Sequence, residues 1–203
     1  MSLLIVKNLE VAYQLRKSSL KAIDDVSFTL EKGEYFGIVG ESGSGKTTLA
    51  RAILRLLPKN GTIANGQIIL NGRDITHWSD KQLRDVRWQE MSFIPQSAMN
   101  ALDPVVRIGD QILESIQTHE SVSKDEGYRR AGELFRLVGL DPNRLKDYPH
   151  QFSGGMRQRV LIAMSLSLNP DLIVADEPTT ALDVIVKDQI LDNIDRIQKQ
   201  LQK

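Results

Sequence analysis

The sequence has no cysteine among its 203 residues. Disulfides, thiolate zinc centres and cysteine-held iron–sulfur clusters are therefore excluded from this span. Histidine is almost as scarce. His77, His119 and His150 are scattered, with no spacing suited to a histidine-based metal centre. Net charge is missing too: 26 Lys+Arg balance 26 Asp+Glu. Domains that hold nucleic acid by bulk electrostatics carry a basic excess, so no nucleic-acid partner is expected. There is also no long hydrophobic run. Val160–Met164 and Leu172–Ala175 are sized for a core helix or strand, well short of the ~20 residues a membrane span needs. Near the N-terminus, Lys7 and Glu10 arrive too early for the apolar region of a signal peptide. With 41% apolar and 26% charged residues, a soluble, folded chain is expected.

Turning to what is present, Leu3–Tyr13 and Ala22–Leu30 read as strands joined by an exposed connection over Gln14–Lys21. The second alternates through Ile23, Val26, Phe28 and Leu30. Tyr35–Val39 reads as a short buried strand. Thr47–Leu57 reads as a helix with Leu49, Ala52, Ile53 and Leu56 on one face, stopped by Pro58. Asn60-Gly61 and Asn71-Gly72 are turn signals around a strand at Gln67–Leu70, and Met91–Ile94 is another short strand. From about Ser97 to Phe152 the patterns are helical, over Val106–Gln117 and Lys124–Val138. Ser153–Leu168 reads as a helix with Ser153 as N-cap, Leu172–Ala175 as a buried strand, and Val184–Gln200 as a final amphipathic helix. Strands alternating with helices predict an α/β fold with a largely parallel sheet.

Three motifs carry chemistry. Gly40-Glu41-Ser42-Gly43-Ser44-Gly45-Lys46-Thr47 matches G-x-x-x-x-G-K-[ST] at every fixed position. Glycines let the backbone curl so that N–H groups face phosphate oxygens, and the following helix adds its positive end. Lys46 supplies a point charge for the outer phosphates, and the Thr47 hydroxyl is a ligand for Mg²⁺. The apolar Leu172–Ala175 run ends in Asp176-Glu177. One carboxylate suits metal binding and the other suits orienting or deprotonating an attacking water. Ser153-Gly154-Gly155 opens a helix with a hydroxyl and bare backbone, which reads either as a second anion site or as a plain helix cap.

Together these motifs resemble the nucleotide-binding domain of ATP-binding-cassette (ABC) transporters. GESGSGKT at 40–47 looks like Walker A, LIVADE at 172–177 like Walker B, FSGGMRQR at 152–159 like the family signature, and TALD at 180–183 like the D-loop. The resemblance implies a P-loop NTPase core with an N-terminal antiparallel β subdomain and an inserted helical subdomain. It divides a single domain, 1–203, into 1–96, 97–152 and 153–203. It implies ATP and Mg²⁺ as cofactors. ATP would be held by Gly40, Ser42, Gly43, Ser44, Gly45, Lys46, Thr47 and Thr48, with Tyr13 stacking on adenine. Thr47, Gln96 and Asp176 would organise the metal. Glu177 would polarise the lytic water, with Lys46 and Gln96 assisting. Ser153, Gly154 and Gly155 would close over the ATP of a second cassette, identical or homologous, in a head-to-tail dimer, with Asp183 near the seam.

The signature departs from the commoner LSGGQ at Phe152 and Met156. With ADEPTTALD, it is similar to the oligopeptide/dipeptide importer branch, which also includes nickel and some sugar importers. Two transmembrane permease subunits, an extracytoplasmic substrate-binding protein acting indirectly, and a place at the cytoplasmic face of the cell membrane follow from that resemblance. The interval between Gln96 and Ser153 has no room for the long coiled coil of repair- and chromosome-type members. The family's switch histidine lies on a strand well past Walker B. The chain stops at Lys203 before that position, so the resemblance implies a domain incomplete at its C-terminus.

Overall fold

The computed structural model describes residues 2–96 and 101–177. The expected final helix, the TALD segment and Asp183 lie outside the described residues. Two compact units divide the chain between Arg87 and Trp88.

The first unit is built on an antiparallel sheet. Its strands β1 (Ser2–Gln14), β2 (Ser19–Glu31), β3 (Gly61–Leu70) and β4 (Arg73–Asp74) lie in the order β2-β1-β3-β4. Leu4, Val6, Leu9 and Val11 of β1 are buried, together with Ile68 and Leu70 of β3. Each fully buried aliphatic side chain contributes roughly 1.5–3 kcal/mol.

The register slips at one level across three neighbouring strands. The left-handed residues there are Asn8 (φ 44) on β1, Asp25 (φ 51) on β2 and Gly66 (φ 93) on β3. Asn, Asp and Gly are the residue types that reach this region at least cost. Asn8 Nδ2 donates to Asp25 Oδ1 (2.8 Å) and the Asn8 N–H donates to Ser27 Oγ (2.7 Å), tying the bulges together. The bulge at Asp25 also explains why the apolar alternation of β2 changes parity between Ile23 and Val26. Strand β3 is longer than the 67–70 stretch expected. Asn71 (φ 48) and Gly72 (φ 76) form the two-residue turn into β4 that their dipeptide predicted.

Helix α1 (Lys46–Ile53) is shorter than expected. Arg55 (φ 57) ends it, well before Pro58: the Arg55 N–H donates to the Ala52 carbonyl and the Leu56 N–H to Arg51, closing a Schellman motif. Leu56 consequently leaves the apolar face and is exposed. Arg87 Nη2 donates to the Arg55 carbonyl at 2.6 Å, covering the negative helix end. A short helix unanticipated by periodicity, α2 (Asp80–Arg84), forms behind a Ser79–Gln82 capping box.

One expectation is corrected. Tyr35–Val39 belongs to neither sheet, and Tyr35, Phe36, Ile38 and Val39 are exposed, Val39 at 96%. The run is apolar on both parities, the pattern of a strand needing cover on both faces. Among the described residues no strand pairs with it, and the cover observed is the Phe36 ring stacked on Phe28 with centroids 4.7 Å apart.

The second unit pairs β5 (Met91–Ile94) with β6 (Leu172–Ala175) in parallel, both at the expected bounds; β6 is less buried than expected, with Leu172 buried, Ile173 and Val174 half-buried and Ala175 exposed. Around it lie α3 (Ile108–Gln117), α4 (Lys124–Leu137), 3-10 turns at Pro142–Lys146 and Pro149–Gln151, and α5 (Gly154–Ser165). One core joins them: Ile94 of β5, Ile108, Ile112 and Ile116 of α3, Phe135 of α4, and Val160 and Ile162 of α5. Phe152 packs edge-on against Phe135, with centroids 6.4 Å apart. No helix of the described residues is long and apolar enough to cross a membrane.

Two measurements check this description. Gly66 and Gly72 both need positive φ, but a Cβ on Gly66 would also sit 2.4 Å from the Asn8 carbonyl oxygen, whereas nothing lies within 4 Å at Gly72. Gly72→Ala is expected to cost about 1 kcal/mol of stability in urea titrations, and Gly66→Ala at least twice that. The second concerns Tyr128, whose hydroxyl donates to Asp110 Oδ1 at 2.7 Å. Burial first, then this bond, pushes the phenol up to about 12. The unfolded phenol ionises first, so this stabilisation is complete below the ordinary value of 10.0 and is lost as pH rises towards about 12. Ultraviolet titration should show a late-ionising tyrosine that disappears in Tyr128→Phe.

Candidate functional site

In the first unit, the segment from Gly40 to Gly45 forms a turn that feeds directly into α1. Gly43 (φ 81) and Gly45 (φ 98) are both left-handed. Gly45 is doubly constrained, because a Cβ there would meet the Ala22 carbonyl oxygen at 2.7 Å and Ile23 Cδ1 at 2.9 Å. The loop is thereby pressed against β2 at a point where only glycine fits. Gly45 is also the N-cap of α1. No side chain caps that end, and no acidic residue lies in its first turn. The positive helix terminus is therefore left without an internal anion.

Lys46 turns back over this loop, its Nζ donating to the carbonyls of Gly40 (2.8 Å) and Glu41 (2.7 Å). A neutral carbonyl is a weaker partner for an ammonium than a phosphate oxygen, so a bound polyphosphate would draw the side chain over. Tyr13, at the far end of β1, lies 3.2 Å from the Thr48 hydroxyl through its own hydroxyl. That contact sets the ring beside the first turn of α1. The hydrogen bond had no signal in the sequence, since 35 residues separate its partners.

In the second unit, parallel pairing of β5 and β6 brings their C-terminal ends side by side, and the Asp176 N–H donates to the Ile94 carbonyl at 3.0 Å. Gln96 follows β5 and donates from Nε2 to Glu177 Oε2 at 3.0 Å. Asp176 is buried, 9% exposed. Glu177 is exposed and left-handed (φ 46), a conformation carrying strain of about 1–3 kcal/mol for a non-glycine residue. The two adjacent carboxylates thus occupy different environments, one sheltered and one open. A buried acid at a strand end and a helix hydroxyl such as Thr47 are oxygen donors of the kind Mg²⁺ takes alongside substrate phosphates.

Ser153 is the N-cap of α5, as expected, accepting from the Met156 N–H at 3.3 Å. Gly154 is exposed, with nothing within 4 Å of a Cβ placed there. Two side chains that the motif reading passed over hold this segment. Gln158, 3% exposed, donates to the Pro95 carbonyl at 3.4 Å, linking α5 to the segment before Gln96. Arg144 contacts Gln151 and Phe152 before Ser153 and Met156 after it.

The structure thus groups Tyr13 with the loop through Thr48 in one unit, and Gln96 with Asp176 and Glu177 in the other. A glycine-rich loop running into an uncapped helix, with an acidic strand end elsewhere in an α/β fold, defines the phosphate-loop nucleotide-binding class. More narrowly, the family model described as ABC transporter matches residues 23–180, and the chain belongs to that family. The oligopeptide transport ATP-binding protein OppD of Bacillus subtilis is 45% identical over 202 residues, covering 98% of this chain and 56% of that protein. The dipeptide transport ATP-binding protein DppD of the same organism is 45% identical over 199 residues, covering 97% and 59%. OppD of Escherichia coli is 42% identical over 201 residues, covering 98% and 59%. The chain therefore spans little more than half the length of these relatives. Among solved structures, a dimeric ATP-binding cassette in a post-hydrolysis state, bound to ADP and Pi, superposes with a TM-score of 0.86 at 27% identity. That alignment covers 97% of this chain and 83% of the other.

The double constraint on Gly45 is testable. Gly45→Ala should weaken binding of a fluorescent ATP analogue by at least about tenfold, roughly 1.4 kcal/mol. Gly37→Ala, where nothing lies within 4 Å, should leave that binding within experimental error.

Proposed function

We propose that this chain is the ATP-hydrolysing cassette of an importer for oligopeptides or dipeptides, working at the cytoplasmic face of the cell membrane. The observation that carries the proposal is the phosphate loop itself: a helix end with no side-chain cap, and a lysine parked on carbonyls of its own loop. The peptide-transport relatives supply the cargo class.

In this reading Tyr13 stacks on adenine, and the backbone of Gly40, Ser42, Gly43, Ser44 and Gly45 cradles the phosphates, with Thr47 and Thr48 continuing the cradle into α1. Lys46 exchanges its loop carbonyls for phosphate oxygens. Mg²⁺, when bound, neutralises developing charge on the phosphates; Thr47, Gln96 and Asp176 are its proposed holders. Glu177, held by the Gln96 amide, orients and polarises the attacking water. Positioned proton transfer of this kind is worth about 10²–10⁴-fold.

One phosphate loop covers its nucleotide from one side. Ser153, Gly154 and Gly155 of a second, identical or homologous cassette cover the other and exclude water in a head-to-tail dimer, with Asp183 near the seam. Closure and reopening of that dimer drive two transmembrane permease subunits. A substrate-binding protein on the far side delivers the cargo. The domain divides functionally as 1–96, 97–152 and 153–203, the middle part facing the permeases.

Glu177→Gln in the full-length protein should retain ATP, cut hydrolysis by at least about a hundredfold and accumulate a dimer in MgATP that sedimentation detects. Parent-rate hydrolysis with no dimer would overturn the assignment of the base.

A further inference from the structure

We infer that Arg144 is the residue that positions the Ser153–Gly155 turn, acting through the side chains of Phe152 and Met156; this rests on the reading of that turn as the lid over a partner's ATP. Arg144 stands on the 3-10 turn Pro142–Lys146. Its guanidinium makes four separate contacts. The central carbon lies 4.3 Å from the Phe152 ring centroid, over the ring. Nη2 donates to the Gln151 carbonyl at 2.8 Å, and Nε donates to Asp147 Oδ2 at 2.8 Å. Nη1 lies 3.4 Å from Met156 Sδ.

Three of those contacts bracket the turn: Gln151 and Phe152 precede Ser153, and Met156 follows Gly155. Asp147 supplies the counter-charge that holds the guanidinium plane in one orientation. Phe152 is anchored behind, against Phe135 in the core, so the guanidinium sits between a fixed ring and the exposed turn. Ser153 caps α5 through one 3.3 Å bond, and Gly154 and Gly155 open that helix with no side chains of their own to pack, nothing lying within 4 Å of a Cβ placed on Gly154. The orientation of this first helical turn is therefore set by the residues that flank it.

Phe152 and Met156 are also the two positions where this signature departs from LSGGQ. Both departures fit one neighbour. Phenylalanine offers a π face to a cation where leucine offers none, and methionine offers a polarisable sulfur to a guanidinium N–H. Arg144, Phe152 and Met156 thus form one unit whose members are suited to each other.

The test uses the complete transporter, reading turnover against ATP concentration. Arg144→Met keeps the aliphatic stem and removes the charge. It should raise KM for ATP by about tenfold while changing kcat by less than about threefold. Arg144→Lys, which keeps the charge but loses the planar fork, should fall between and also serves if the methionine variant does not assemble. A double-mutant cycle separates positioning from bulk stability. In a Phe152→Leu/Met156→Gln background, Arg144→Met should add less than about threefold, because the two side chains through which it acts on the turn are already gone. Full additivity, or an unchanged KM in both Arg144 variants, would overturn the assignment. Ser153→Ala is run alongside. A raised KM there with an unchanged KM for the Arg144 variants defeats this inference alone, whereas no effect of Ser153→Ala defeats the lid reading and this inference with it.

Discussion

Four residues of parallel pairing between β5 and β6 fix the polar end of the second unit. The ladder Met91–Leu172 to Ile94–Ala175 is short, yet it brings together two chain segments separated by the whole helical part of that unit. Parallel strands leave the sheet at the same edge, so Gln96 and the Asp176-Glu177 pair emerge as neighbours. The Asp176 N–H bond to the Ile94 carbonyl extends the ladder one step beyond the strand. At that step burial separates the two acids: Asp176 stays sheltered while Glu177, forced to positive φ, turns outward to meet Gln96. The apolar core beneath, centred on Phe135 and the α3 isoleucines, holds the ladder in place. Burial drives this arrangement and the polar groups occupy its rim, which is the usual division between stability and chemistry.

The phosphate loop follows a different logic. Its geometry is set by a steric limit, the Ala22 carbonyl and Ile23 methyl against Gly45, and by the absence of any side-chain cap on α1. With glycine as the N-cap, forgoing a side-chain cap costs only about a few tenths of a kcal/mol of local stability. The same omission keeps the N–H groups available to an anion. Lys46 meanwhile donates to two carbonyls of the loop, which holds its ammonium against the loop backbone. The α5 terminus differs in degree: Ser153 caps one N–H there, and stiffness is supplied by Arg144 and its partners.

Much of this was legible in the chain. The phosphate loop, the acidic strand end and the Ser153 cap are local motifs, since the chemistry and the fold both act within a few residues. Strands β5 and β6 were readable from their apolar runs with unchanged bounds, and helices α3, α4 and α5 from periodicity, with an end shifted by one to three residues. The sheet bulges left a trace as a parity change in β2, visible once its cause is known. Tyr35–Val39 went the other way. Its composition announces a buried strand, but among the described residues no strand pairs with it, and Tyr35, Phe36, Ile38 and Val39 stay exposed.

What the sequence determined by itself was the inventory of reactive groups and the elements that carry them. Spacing within a motif is a property of the local backbone, so the glycines, the lysine and the paired acids are readable from the chain itself. Tertiary structure alone decided which distant groups meet: Gln96 with Glu177, Tyr13 with Thr48, and Arg144 with Phe152 and Met156. These contacts arise where elements end against one another, and the packing of the core selects them. No periodicity within an element encodes the partner it will find across the fold, because that choice is made by the shape of everything buried between them.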